Sequence, residues 1–425
     1  MSIRPSRFRP FELAGLPSVA EAQRIWADAL PKVTPEIEHV DLWACCGRVL
    51  GEDVRAAAPV PAFPRSVVDG VALRAADTDE ARDDRPVSLT LVGKVAMGRQ
   101  APAVLEPGQA MLVPTGGMIP PGADAVVMVE EFPELLGSRA DMPAAVAVRR
   151  AAAPGENVIP VGADVKAGEK VMEAGVRLRP PHLGVLAGLG CVTVPVYKKP
   201  EVAILSTGEE LVAPEEVPAP GQIRDMNGVG LAAFIEEGGG RVKRLGIARD
   251  DRRVLREALE AGLASDMVVL SGGSSVGEED WVARIVAELG EPGIIVHGVK
   301  LAPGKPTLLA LIGNKPVLGM PGNPVSALVV YRLFGAMALR RISGERDHPG
   351  WIPVVKARLA HDVTGPKGRE LHMRVQLLPG EDGWIAQPII GGSHQLMTMV
   401  KADGIIVVPP DTKLPAGTAV NVRVW

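Results

Sequence analysis

Stretches of distinct hydrophobic and polar texture follow one another along the chain. Near the start, Ser18-Val-Ala-Glu21 has the Ser-x-x-Glu spacing of a capping box, and an amphipathic helix is predicted from there to about Leu30, where Pro31 stops it. From Val54 to about Pro154 the pattern changes to short Val/Leu-rich runs, VSLTLVGKVAMG, QAMLVPTGG, ADAVVMVEE and AAVAVRR, broken by Gly and Pro, which predicts a β-rich region. Turns, a short helix after Pro180-Pro181 and a strand ending at Val196 come next, in a stretch expected to rejoin the N-terminal helix.

After Lys198-Lys199-Pro200, buried runs alternate with amphipathic ones: VAILSTG, GVGLAAFIEEGG, RVKRLGIARD, RRVLREALEAGL, MVVLSGG and EEDWVARIVAELG. Strands alternating with helices predict a parallel, doubly wound sheet, continued through TLLALI, PVLGMPG and a helix from Pro324 to about Ile342. From Trp351 to Trp425, VVKARLA, HMRVQLL, GWIAQPI, GIIVVPP and AVNVRVW predict a small β domain or barrel. The chain is therefore expected to be a multidomain α/β protein. Its expected parts are an elongated, discontinuous N-terminal domain (1–55 and 150–198), a β-rich domain (56–149), a doubly wound α/β domain (199–345) and a C-terminal β domain (346–425).

Composition removes some functions. The 46 Lys+Arg against 50 Asp+Glu give a net charge of −4 without a basic block, and six Phe, six Trp and two Tyr leave few rings for stacking bases, so no nucleic-acid partner is expected. The longest apolar helical run, Val325 to Leu339, is interrupted by Arg332 and is shorter than the roughly 20 residues that cross a bilayer, so no membrane partner is expected. The basic start, MSIRPSRFRPFELAGLP, has no apolar stretch behind it, and Cys45, Cys46 and Cys191 show no metal spacing; both features point to a cytoplasmic, reducing location.

In open α/β sheets the ligand lies beyond the carboxyl ends of the strands, which directs attention to three junctions: Ser206 to Glu210, Ser271 to Asp280 (SGGSSVGEED) and Met320 to Ala327 (MPGNPVSA). Gly272, Gly273 and Gly277 let the backbone bring its N–H groups close to an anion, with hydroxyls from Ser271, Ser274 and Ser275. The spacing is neither the dinucleotide G-x-G-x-x-G nor a P-loop. Glu278, Glu279 and Asp280 open the next helix, where carboxylates also suit the helix dipole; with Glu210 and Asp225 at other strand ends they would face a phosphate across a divalent cation, expected to be Mg²⁺. Asn323-Pro324 is a good helix start that, with Ser326, could also hold an oxyanion, and Pro303-Gly304-Lys305-Pro306 fixes one cation on a rigid turn.

Together these segments resemble the molybdenum insertases of molybdenum-cofactor synthesis, the bacterial molybdopterin molybdenumtransferases related to the gephyrin E domain. The resemblance is carried by CGRVLGEDV (Cys46 to Val54), SVVDGVAL (Ser66 to Leu73), PTGGMIPPGADAVVMVE (Pro114 to Glu130), ILSTGEEL (Ile204 to Leu211), GQIRDMN (Gly221 to Asn227), SGGSSVGEED, PGKP (Pro303 to Pro306), PGNPVSA (Pro321 to Ala327) and GGSH (Gly391 to His394). It implies a homodimer of elongated four-domain subunits, each active site lying between the α/β domain of one and the β-rich N-terminal domain of the other. It also implies the reaction: adenylylated molybdopterin, molybdate and Mg²⁺ are bound, the metal is placed on the dithiolene sulfurs, and AMP leaves. Molybdopterin adenylyltransferase and molybdoenzyme maturation factors become expected partners.

Position by position, the resemblance assigns the pterin-phosphate and nucleotide side to Gly272, Gly273, Ser275 and Gly277, with the Pro321-Gly322-Asn323 turn beside them. Glu210, Asp225 and Asp280 become the acidic catalytic residues, Asp225 and Asp280 linked to Mg²⁺, and Asp69 and Thr115 come from the N-terminal domain. Lys305, Ser326, Arg369 and Ser393 would hold molybdate, as suits a tetrahedral dianion that needs cations and hydroxyl donors.

The chain departs from the family at three places: Pro64 stands where an aspartate is usual, Ala302 where a lysine is, although Lys300 lies two residues upstream, and Ile159 opens a segment that lacks the usual arginines. Two lost charge-assisted contacts of about 1.5–3 kcal/mol each would weaken molybdate binding by roughly two to four decades. The alternative function is therefore a catalytically weakened paralogue that binds the cofactor or scaffolds partners. A stand-alone adenylyltransferase is disfavoured by the N-terminal domains and by GGSH.

Overall fold

The computed structural model describes residues 13–136, 143–272, 281–346 and 353–424. The first helix, Val19–Ala29, is capped as its sequence predicts, the Glu21 N–H donating to the Ser18 hydroxyl at 3.2 Å. Its apolar stripe, Val19, Ala22 and Trp26, is buried with Ile235, Val329 and Phe334 in the core of the α/β unit. The helix thus straps that unit, and Gln23 Nε2 and Trp26 Nε1 donate to the carbonyls of Leu333 and Phe334, each at 3.2 Å. Both carbonyls belong to a π turn, Tyr331–Gly335, that interrupts the helix begun at Pro324.

A second core joins segments distant in sequence. Ile37–Asp41 pairs antiparallel with Thr193–Tyr197 and Val54–Arg55 with Lys170–Met172, around Leu50, Leu178, Leu186 and Val196. Between them lies a five-stranded sheet in the order Ala125–Met128, Gly70–Leu73, Gln109–Val113, Val87–Lys94, Ala145–Val148. Gly70–Leu73 and Gln109–Val113 are apolar on both faces because both are covered, one by the cluster around Leu89 and Phe132, the other by that around Met111 and Ile119, whereas Val87–Lys94 alternates.

The α/β unit is built on a six-stranded sheet in the order Arg241–Ala248, Glu201–Thr207, Met267–Ser271, Lys315–Met320, Leu308–Ile312, Pro292–His297. The first four strands are parallel. Asn227–Glu237, the N-terminal helix and the helix from Pro324 pack on one face, Arg252–Gly262 and Trp281–Leu289 on the other. The expectation of a parallel sheet throughout is corrected at the far edge, where Leu308–Ile312 runs antiparallel to both neighbours. Only Gly313 and Asn314 separate that strand from Lys315–Met320, and so short a link closes a hairpin, since a parallel return needs about a dozen residues or more.

At the C-terminal end five strands close into a barrel: Glu370–Gly380, Gly383–Pro388, Val354–Leu359, Ala419–Val424 and Gly404–Val408, the last returning to the first. Leu371, Met373 and Val375 face the barrel core, so strand alternation puts His372 and Arg374 outside it. Both are nevertheless buried, at 3% and 4% exposure. The barrel abuts the α/β unit there: Leu301–Ala302 adds a parallel strand beside Glu370 and Leu371, and Ile405, Leu396 and Met399 pack into the α/β core. Burial holds the Arg374 guanidinium below its ordinary pKa, and its Nη2 donates to the Gly391 carbonyl at 2.8 Å.

Candidate functional site

Strand order locates the crevice. Glu201–Thr207 is the first strand of the α/β sheet in sequence but the second in spatial order; the next strand in sequence, Arg241–Ala248, lies on one side of it and Met267–Ser271 on the other. The chain therefore leaves two adjacent strand ends in opposite directions, and such a switch point is where open α/β sheets bind ligands. A cleft of about 630 Å³ opens there, with Thr207, Glu210, Asp225, Asn227, Asp250, Gly272, Gly322, Asn323, Trp281 and His394 on its walls.

Short polar contacts fix those walls. Gly272 has φ +99°, and a Cβ there would lie 2.1 Å from the Thr207 carbonyl oxygen, so glycine is what lets the two strand-end loops come together. The Thr207 hydroxyl donates to Asp250 Oδ1 at 2.5 Å. Asp225 accepts from the Ser206 hydroxyl at 2.6 Å and from the Gly228 N–H at 2.9 Å. The barrel reaches in through Ser393, whose hydroxyl accepts from Asn323 Nδ2 at 3.0 Å and whose carbonyl accepts from the Val325 N–H at 3.0 Å.

Of the residues singled out in the sequence, Glu210, Asp225, Gly272, Pro321, Gly322 and Asn323 line this one cleft. Ser393 is tied to it through Asn323, and Lys305 adjoins the cleft-lining Pro306. Ser326 lies in the first turn of the helix Pro324–Val330, buried at 4% exposure. Arg369 precedes the first barrel strand, its Nε buried and without a partner. Gly273, Ser275, Gly277 and Asp280 lie outside the described residues.

Asp69 and Thr115 meet each other in the β-rich unit, the Thr115 N–H donating to Asp69 Oδ1 at 2.8 Å. Both are exposed, and neither lines the cleft of its own chain. Of the departures, Ala302 is buried at 9% exposure in the strand beside Leu371, and Ile159 stands directly across from Arg65.

Sequence reasoning passed over Asp250 and gave no individual role to Thr207, inside the Ser206–Glu210 junction, or to Asn227, the last residue of GQIRDMN. Asp250 follows the strand Arg241–Ala248 by two residues, so the strand-end rule that selected Glu210 could have selected it too. Among the described residues no group of three or more His, Cys, Asp or Glu side chains forms a metal cage. Glu210, Asp225 and Asp250 are instead spread along the cleft beside glycine turns. That arrangement suits an anion whose charge a small cation shares with one or two carboxylates and with phosphate oxygens.

Residues 17–190 match the family described as MoeA N-terminal region (domain I and II), residues 203–341 a probable molybdopterin binding domain, and residues 356–425 the MoeA C-terminal region (domain IV). The chain is 34% identical to a molybdopterin molybdenumtransferase of Nostoc sp. over 403 residues, covering 93% of this chain and 90% of the relative. It is 33% identical to molybdopterin molybdenumtransferase 2 of Mycobacterium tuberculosis, covering 96% of this chain and 99% of the relative. The crystal structure of a molybdopterin biosynthesis MoeA protein from Pyrococcus horikoshii OT3 superposes with a TM-score of 0.78 at 31% identity, covering 96% of this chain and 100% of the other.

Proposed function

This chain belongs to the MoeA family of molybdopterin molybdenumtransferases, and on that premise we propose that it transfers molybdenum from molybdate into adenylylated molybdopterin with release of AMP. The observation that carries the proposal is the switch-point cleft, where the Gly272 turn, Glu210, Asp225 and Asp250 line one wall system and Ser393 enters from the barrel. In this reading Gly272 binds phosphate, and Gly273, Ser275 and Gly277, which follow it in sequence, are assigned to the same role. Lys305, Ser326, Arg369 and Ser393 hold molybdate. The buried, unpartnered Nε of Arg369 suits an oxyanion, which would supply the acceptor it lacks.

Mg²⁺ fits the residues present, because Asp225 keeps lone pairs free beyond its two hydrogen bonds and Asp280 would add a second carboxylate. Bound there, it would supply charge neutralisation between phosphate and carboxylates. Ser206 and the Gly228 N–H orient Asp225, Thr207 orients Asp250, and Glu210 adds negative charge at the same strand ends.

The protein is read as a homodimer, since the exposed Asp69–Thr115 pair, lying away from its own cleft, is available to a partner's. The reaction is placed in the cytoplasm, in keeping with the free thiols of Cys45, Cys46 and Cys191; no helix among the described residues is long and apolar enough to cross a membrane. Molybdopterin adenylyltransferase would supply the substrate, and maturation factors would take the product.

Complementation tests the reading. Subunits carrying Asp69→Ala and subunits carrying Asp225→Ala are each expected to be inactive, whereas mixed dimers place both changes in one site and neither in the other. With statistical mixing, about a quarter of wild-type sites should return. No recovery, with heterodimers verified by mass, would put both aspartates in one subunit's site and overturn the shared-site reading.

The second reading, a weakened cofactor-binding paralogue, is favoured by Ala302, which offers no cation from its buried position. Calorimetric titration with molybdate separates the two, since a weakened paralogue would show no saturable binding.

A further inference from the structure

The segment that closes on Asn227 does more than open a helix. The cap of Asn227–Glu237 is Met226 without a side-chain hydrogen bond, so the Asn227 amide is not spent on the helix it starts. Its Nδ2 donates to Ser271 Oγ at 2.8 Å and to the Gly322 carbonyl at 2.7 Å. A carbonyl only accepts, so the orientation of the amide is set by Gly322 and both of its N–H groups are used. Two residues earlier, Asp225 ties Ser206 to the Gly228 N–H. Residues 225–227 therefore fasten the carboxyl ends of Glu201–Thr207, Met267–Ser271 and Lys315–Met320, three consecutive neighbours in the sheet. The two loops that Asn227 joins already touch, a Cβ on Gly322 lying 3.8 Å from the Gly272 Cα.

We propose that Asn227 is a positioning residue that holds the Ser271–Gly272 strand end and the Pro321–Asn323 turn at one fixed separation, so that the Gly272 side and the Asn323–Ser393 side of the cleft act on a single bound substrate. The proposal rests on the reading of this cleft as the substrate site. A merely structural role predicts something different: Asn227→Asp is nearly isosteric and places a carboxylate at a helix N-terminus, where it stabilises, yet it removes both donors and faces an oxygen toward Gly322.

The test combines hydrogen exchange on the full-length protein with insertion kinetics. For Asn227→Asp, the thermal midpoint should not fall, while amide exchange at residues 270–272 and 320–323 accelerates. The kcat/KM for adenylylated molybdopterin should drop about tenfold or more, as loss of hydrogen bonds to fixed acceptors implies. The deficit should narrow as pH falls, because a protonated carboxyl regains one donor. Asn227→Ser, uncharged and too short to span both loops, should show the same exchange and kinetic loss without the pH recovery. Unchanged exchange at those strand ends in both variants, or kcat/KM within about twofold of wild type, overturns the proposal. If the wild-type protein itself fails to insert molybdenum, the functional reading fails, and the exchange data still decide whether Asn227 braces the loops.

Discussion

Replacing Gly272 by alanine strikes the cleft at its tightest point. At φ +99° an L side chain is strained, a cost of about 1–3 kcal/mol. The new Cβ would also lie 2.1 Å from the Thr207 carbonyl oxygen, where real Cβ atoms essentially never come within 3.0 Å, so the two loops must part by nearly 1 Å. Thr207 carries Asp250 by its hydroxyl and Gly272 adjoins Gly322, so that displacement spreads into the groups lining the cleft. A misplacement of about 1 Å costs on the order of 10²-fold in rate. At about 3 °C per kcal/mol for a unit of this size, the strain alone lowers Tm by about 3–9 °C. Gly313→Ala is the control: φ is +59° there and nothing lies within 4 Å, so it bears strain in the same unit without the overlap. Calorimetry should show both variants destabilised, and insertion of molybdate into adenylylated molybdopterin should be lost only in Gly272→Ala. If both variants retain kcat/KM within about threefold of wild type, the geometric argument is wrong.

Three further outcomes are expected. Trp26→Phe keeps the apolar stripe but leaves the Phe334 carbonyl without its donor, and thermal unfolding should show a loss of about 1–3 kcal/mol with the barrel unaffected. Lys305→Met removes a cation from the proposed molybdate side, and the molybdate concentration giving half-maximal insertion should rise about tenfold or more, with the affinity for AMP unchanged. Arg150 bridges Glu131 and Glu156 at 2.7 and 2.6 Å, and its hydrogen bond holds Glu156 below the ordinary glutamate pKa. The folded-state pKa being the lower one, this stabilisation is complete above the unfolded value of about 4.5 and is lost as pH falls through the folded value; Arg150→Met should flatten the acid-side fall in Tm of the β-rich unit.

The α/β unit was legible because strands buried on both faces become uninterrupted apolar runs, and the capping box at Ser18 marked its helix to the residue. Strand direction was not legible in the same way, since TLLALI has the same pattern whether its neighbour is parallel or antiparallel; the two-residue link after it carried that information. An amphipathic stripe says that one face of Val19–Ala29 is buried but not against what, and here the partner is a π turn more than 300 residues away, with separations of 310 and 308 residues for the two hydrogen bonds. The strand-end rule found Glu210, Asp225, Gly272 and Asn323 together, and it passed over Asp250 because RVKRLGIARD was read as strand to its last residue. Asn227 could not be found at all from local pattern: its partners are 44 and 95 residues away.

The departures at Ile159 and Ala302 are not equivalent in the fold. Arg65 and Ile159 are directly opposed in an antiparallel pair, so their side chains share a face, and the Arg65 Nε is buried without a partner. A guanidinium thus stands across the ladder from Ile159, the residue that opens the segment lacking the usual arginines. Ala302 is instead buried with Leu371 as its cross-strand neighbour, and the nearest basic residue along the chain is Lys300, two residues upstream. On the proposed assignment, the lysine missing at Ala302 is lost from the side of Lys305 and Arg369, the proposed molybdate side, rather than from the Gly272 strand end. Weakening of this chain relative to its relatives should accordingly be read in the demand for molybdate, while nucleotide affinity keeps its ordinary strength.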